Sequence, residues 1–241
     1  MKRLLLSAAS VAVVLGAAPM AQAHEWTGLY FGVQAGSTYG ELDQPFSAAH
    51  GGATTGVQMP IDISGAHGGV HVGFDKRLDP LGWDSLVLGI VAEYSTADGD
   101  GYDNGGIGFA SQTAPLEQNQ ANLDTYMDAS VRLGWLVMPS TLIYGKIGYS
   151  LIEGDYSAAS VATVPAVVTR VDKAGIDWTG TVWGAGVDFR VGEQFNLGIE
   201  WKTYEVDAQR QNMAPRAYDV NTKPSMESIE LRLSYRLQEF F

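Results

Sequence analysis

Along residues 181–204, TVWGAGVDFRVGEQFNLGIEWKTY, apolar and polar side chains alternate with a period of two. Trp183, Ala185, Val187 and Phe189 share one face, followed by Phe195, Leu197, Ile199 and Trp201. Asp188, Arg190, Glu200 and Lys202 hold the other face. Period two marks β-strand, because successive side chains point to opposite sides. The same alternation predicts strands over about 29–39, 63–75, 86–95, 122–136 and 142–151, then two in the quoted stretch and one over about 228–238. Leu29, Phe31, Val33 and Ala35 form the apolar face of the first, and Ile229, Leu231, Leu233 and Tyr235 that of the last.

Connections between these strands alternate in length. Residues 76–85, 137–141 and 191–194 are short, while 40–62, 96–121, 152–175 and 205–227 are long. Short turns at one end and long loops at the other are the asymmetry of a bacterial outer-membrane barrel. Each strand also reaches the roughly 9–11 residues that a tilted transmembrane strand requires. The fold expected is therefore all-β: an eight-stranded antiparallel up-and-down transmembrane barrel with short periplasmic turns and four long extracellular loops. Hydrocarbon tolerates no unpaired backbone edge, so the first strand must pair with the eighth.

Charge separates the two faces. The polar faces carry seven acids (Asp75, Glu93, Asp124, Asp128, Asp188, Glu200, Glu230) and six bases (Arg132, Lys146, Arg190, Lys202, Arg232, Arg236). The apolar faces carry none, and their aromatics, such as Trp135, Tyr149, Trp183 and Tyr235, fall mostly near strand ends. Interfacial aromatic girdles have that placement. A soluble lipocalin-type barrel or sandwich, the alternative, would turn its charge to water and its apolar residues inward. Eight strands leave a lumen just wide enough for side chains, so the near-balanced charges predict an interlocked internal network. Glu200 and Lys202 are expected to meet partners on adjacent strands, such as Arg190 or Arg232 and Glu230.

The amino terminus changes the picture next. Lys2 and Arg3 precede an apolar stretch from Leu4 to Ala18, and Ala21-Gln22-Ala23 is a small-x-small cleavage site. That reads as a secretory signal over 1–23, with a barrel domain over 24–241. The chain has 27 acidic against 15 basic residues, and two of those bases lie in the signal. Such acidity argues against a nucleic-acid partner and against a polybasic membrane-surface module. There is no cysteine, so no disulfide braces the exported domain.

Candidate chemistry is sparse. Asp98, Asp100 and Asp103 in ADGDGYDNGG could offer oxygen ligands to calcium, but the spacing departs from an EF-hand loop, and a solvated loop is the favoured reading. His67 and His71 share a strand face about 13 Å apart, too far for one metal at about 3.3 Å per residue. No histidine falls on the predicted lipid face, where a lipid-modifying enzyme would need one. No catalytic, metal or cofactor site is expected. Residues 157–172, SAASVATVPAVVTRVD, are apolar for an exposed loop and read as a hairpin turning near Pro165 rather than as an adhesive tip.

The segment HEWTGLYFGVQAG resembles the opening strand of the small outer-membrane β-barrel family common in Alphaproteobacteria, in which Trp26, Thr27, Gly28, Tyr30 and Gly32 match a Trp-Thr-Gly-x-Tyr-x-Gly pattern. VWGAGVDFRV (182–191) and LGIEWKTYEV (197–206) resemble later strands of the same family. Its members include outer-membrane immunogenic proteins, opacity-like surface antigens and porin-like proteins. They close on a C-terminal aromatic, which Phe241 matches, although Gln238-Glu239-Phe240 intervenes after Leu237. The resemblance implies a non-enzymatic surface or structural protein in the outer membrane. Implied partners are outer-membrane lipid and lipopolysaccharide, the barrel-assembly machinery through the C-terminal strand, and host or envelope partners through the loops. A narrow channel for ions or small solutes is the alternative, and an outer-membrane enzyme a third reading.

Overall fold

The computed structural model describes residues 26–43, 46–47, 61–78, 83–103, 116–163, 166–207, 209–213 and 218–237. Eight long antiparallel strands follow in chain order: β1 Gly28–Asp43, β2 Ile61–Leu78, β3 Trp83–Asp103, β4 Leu116–Met138, β5 Thr141–Thr163, β6 Ala166–Val191, β7 Phe195–Val206 and β8 Tyr218–Arg236. Each pairs with its neighbours in sequence, and β1 pairs with β8 from Tyr30↔Arg236 to Asp43↔Lys223. The sheet is closed. Two short segments, Phe46–Ser47 and Gln209–Met213, add to the outer part of β8.

Alternation is realised side chain by side chain. On β8, Ile229, Leu231 and Leu233 are exposed, whereas Ser228, Glu230, Arg232, Ser234 and Arg236 are buried. On β4 and β5, Val131, Leu133, Ile143 and Ile147 turn outward, and Ile147 is 59% exposed. A continuous outward belt of this kind exceeds the few hundred Å² of apolar patch that a water-soluble monomer shows, and it fits hydrocarbon. Aromatic contacts join the belt across strands near the short turns: Phe31 meets Tyr235 at 5.6 Å between ring centroids, and Tyr235 meets Phe195 at 5.3 Å.

The ends differ as the connection lengths predict, with one extension. Pro139–Ser140 joins β4 to β5, and residues 192–194 join β6 to β7, where Gly192 adopts φ 70°. A left-handed residue in so tight a turn favours glycine. At the opposite end the strands continue well past the span of a bilayer: β5 and β6 pair as far as Thr163↔Ala166. The hairpin expected over residues 157–172 is thus present and is continuous with the strands below it, and Pro165 itself lies outside the described residues. Outside hydrocarbon neither face must be apolar, so the period-two signal fades while backbone pairing continues. Strand β8 ends at Arg236, and residues 238–241 lie outside the described part, as do residues 1–25.

The charged lumen as candidate functional site

Interior space is set by glycine as much as by strand number. The phenol of Tyr30 on β1 lies against Gly73 on β2, and that of Tyr144 on β5 against Gly186 on β6. A Cβ at either glycine would strike the ring, so these positions let large polar side chains cross a narrow lumen.

Two linked clusters fill the middle of the barrel. In the first, Arg132 on β4 grips Asp75 on β2 with both arms, Nε to Oδ1 at 2.8 Å and Nη2 to Oδ2 at 2.5 Å. Its Nη1 donates to Asp188 Oδ2 on β6 at 3.1 Å. Arg236 on β8 donates to the same Asp75 at 2.6 Å and to the Trp26 carbonyl at 2.8 Å. The Arg132 guanidinium also lies between the rings of Tyr30 and Tyr144, 4.7 and 4.9 Å from their centroids. Such bidentate, stacked geometry suits arginine and not lysine.

In the second cluster, Glu93 (β3), Glu200 (β7) and Glu230 (β8) bring carboxylate oxygens within 4.8 Å of one another. Lys146, Lys202 and Arg232 fill the space between them. Lys146 reaches Glu93 at 2.7 Å and Glu200 at 2.5 Å; Arg232 reaches Glu200 and Glu93, both at 2.6 Å. Lys202 reaches Glu93 and Glu230, both at 3.0 Å, and Asp128 at 3.5 Å. Tyr144 donates its hydroxyl to Glu200 at 2.6 Å, and Ser150 donates to Asp128 at 2.6 Å. Three carboxylates so close would suit a hard cation, but three resident cations already neutralise them.

The histidines hold separate partners. His67 contacts Thr38 at 3.1 Å and Glu230 at 3.2 Å, while His71 contacts Gln34 at 3.0 Å and Ser234 at 2.8 Å. They do not converge on one point, in keeping with their spacing along β2.

Twelve of the thirteen charged residues named from the sequence are buried in the lumen. Asp124 is the correction: it is exposed on the outer surface, and Leu123 is buried in its place. The register between β4 and β5 shifts between Leu123 and Thr125, a bulge that moves Asp124 out of the alternation. With Asp124 outside, the lumen holds Asp75, Glu93, Asp128, Asp188, Glu200 and Glu230 against Arg132, Lys146, Arg190, Lys202, Arg232 and Arg236, so the formal charges balance. Beyond the lipid belt, slight burial together with the carboxylates of Asp155 and Glu153 raises the Asp124 carboxyl above its usual range. Of the partners expected on the neighbouring strands, Arg232 meets Glu200 and Glu230 meets Lys202, while Arg190 donates to Asn196 at 3.4 Å and stacks on Trp26 at 5.0 Å.

Several interior residues carried no sequence signal as site members. Trp26, fully buried, donates its indole N–H to the Pro139 carbonyl at 3.0 Å and packs with Val87, Leu142 and Tyr144 across the end with short turns. Towards the other end Ile63, Leu123, Ile152, Trp178, Val206 and Met226 are buried. Apolar side chains therefore lie on both sides of the charged layer. Asp98, Asp100 and Asp103 sit on β3 rather than in a loop, with Asp98 exposed and paired across the ladder with Ala66. An extended strand spreads their positions too far for one ion.

A family described as "Outer membrane protein beta-barrel domain" matches residues 8–236. The 31 kDa outer-membrane immunogenic proteins of Brucella melitensis and Brucella suis are each 23% identical over 236 residues, covering 95% of this chain and 92% of theirs. Among solved structures, the outer membrane protein OprG from Pseudomonas aeruginosa aligns with a TM-score of 0.49 at 10% identity, over 91% of this chain and 100% of that one. Ail of Yersinia pestis aligns with a TM-score of 0.40 at 10% identity, over 88% and 99%.

Proposed function

Because this chain belongs to the outer membrane protein β-barrel domain family and is an outer-membrane protein, we propose that it is a non-enzymatic surface scaffold. Its filled barrel holds four extracellular hairpins at fixed positions. The observation that carries this reading is the balanced, interlocked lumen, bounded by the Trp26 cluster at the periplasmic end. Buried charges persist only when paired, so each cross-strand ion pair ties two staves of the barrel and occupies the route a solute would take.

The barrel spends its interior on rigidity, which leaves interaction to the hairpins. Both described strand histidines are engaged inside the network, which argues against a lipid-facing catalytic group. Outer-membrane lipid and lipopolysaccharide surround the belt, the C-terminal strand engages the barrel-assembly machinery, and host or envelope partners meet the hairpins. Truncating each hairpin in turn and scoring host-cell and serum-factor binding tests this. Loss of binding on truncating at least one hairpin is expected; unchanged binding and surface phenotype after all four truncations would overturn the display reading.

A further inference from the structure

The lipid belt is dented on one side. Ala92 on β3 and Ala129 on β4 are directly paired and exposed, and Val72 on β2 pairs with Ala92. Larger outward side chains surround the two alanines: Ile90 and Val131 towards the short turns, Tyr94 and Met127 towards the hairpins, and Tyr149 beside Ala129 on β5. Two grooves result. One, of about 650 Å³, passes over both alanines between Phe74, Ile90, Val131 and Ile147. The other, of about 630 Å³, lies between Phe31, Val33, Tyr94 and Tyr235. They meet along Val72 and Ala92, which line both. Each has the volume of a small-ligand site, about 300–1,000 Å³, and each opens outward onto hydrocarbon.

Charge differs at the two ends of these grooves. Lys76 is exposed two places past Phe74 on the outward face of β2, beside the short turn. At the opposite end of the five strands β1 to β5, Glu41, Asp62, Asp98, Asp124 and Glu153 are exposed. Residues 40–62, 96–127 and 147–163 hold no lysine or arginine. A lipid phosphate is therefore attracted at the periplasmic end and repelled at the extracellular end.

We infer that the paired grooves hold one two-chain glycerophospholipid of the periplasmic leaflet, with an acyl chain in each groove and the phosphate on the Lys76 ammonium. Lys76 shares an outward strand face with Val72, so it stands below the line where the grooves meet, where two chains leaving one glycerol begin to part. Lipopolysaccharide carries its phosphates at the extracellular surface, where the carboxylates oppose them. An acyl chain seated over Ala92 and Ala129 gains close contacts on several sides at once, which a chain passing the convex parts of the belt does not. This site goes beyond the display reading and is independent of what the hairpins bind.

Native mass spectrometry of the refolded full chain, released from micelles containing phosphatidylglycerol, counts the lipid retained. One phosphatidylglycerol per barrel is expected, with one-chain lysophosphatidylglycerol retained less. Lys76→Gln should weaken retention about fivefold, the effect of a single lysine beside a lipid surface, and Lys76→Arg should keep it. Ala92→Leu and Ala129→Leu, which fill the grooves, should each lower retention. Ala185→Leu, exposed on β6 away from both grooves, should not. Heat-modifiable gel mobility confirms that every variant keeps its barrel. Retention unchanged by Lys76→Gln, or equal in the Ala92, Ala129 and Ala185 variants, would overturn the inference. Equal retention of the one-chain lipid would do so too, as would displacement of phosphatidylglycerol by equimolar lipid A.

Discussion

Arg132 touches Asp75, Asp188 and two tyrosine rings at once, so its loss strands several buried partners. Arg132→Ala leaves Asp188 without this ion pair inside the barrel. Breaking a buried pair on one side costs about 3–5 kcal/mol. Urea unfolding of the refolded protein in bilayers should show that loss, whereas Glu205→Ala, on an exposed position, should stay within about 0.5 kcal/mol of wild type. Asp124 makes the opposite case. Its carboxyl titrates above its unfolded value, so the folded state binds the proton more tightly, and stability falls as pH rises through that raised value. Asp124→Asn should remove this fall from the stability–pH curve; a curve unchanged by the substitution would contradict the placement beside Asp155 and Glu153. Parity assigned this residue to the lumen because nothing in LDTYMD announces a bulge. Trp26 was legible only as part of an opening motif, since it precedes β1 and belongs to no alternating run.

Among elements, strand existence and facing were legible wherever one side meets lipid, because hydrocarbon enforces apolar residues at every second position. Ile147, on the outward face of β5, is one of these positions. Ile147→Arg should cost about 2–4 kcal/mol near the midplane, and Ser225→Arg, beyond the belt, should cost little. Equal tolerance at both would show that the belt is misplaced. Strand length was legible only at the hairpin near Pro165, where proline marks the turn. Residues 152–163 pair on both sides with β4 and β6 for much of their length, yet they show no clean alternation. Amide exchange separates a loop from this extended ladder: slow exchange across 152–160 is expected, and exchange at loop rates would contradict it.

At the scale of the whole molecule, the lumen is filled rather than open. Charge balance, apolar residues on both sides of the charged layer and glycine-made room for tyrosine rings all act on the same narrow space. Trp26→Ala should cost about 3–5 kcal/mol, as large buried aromatics do, by removing the packing against Val87 and Leu142 and the support for Arg190 and Arg236. Single-channel recording of the purified monomer in planar bilayers reads the state of the lumen. The filled lumen predicts at most small, infrequent current steps from wild type; stable, porin-sized conductance from the monomer would contradict it.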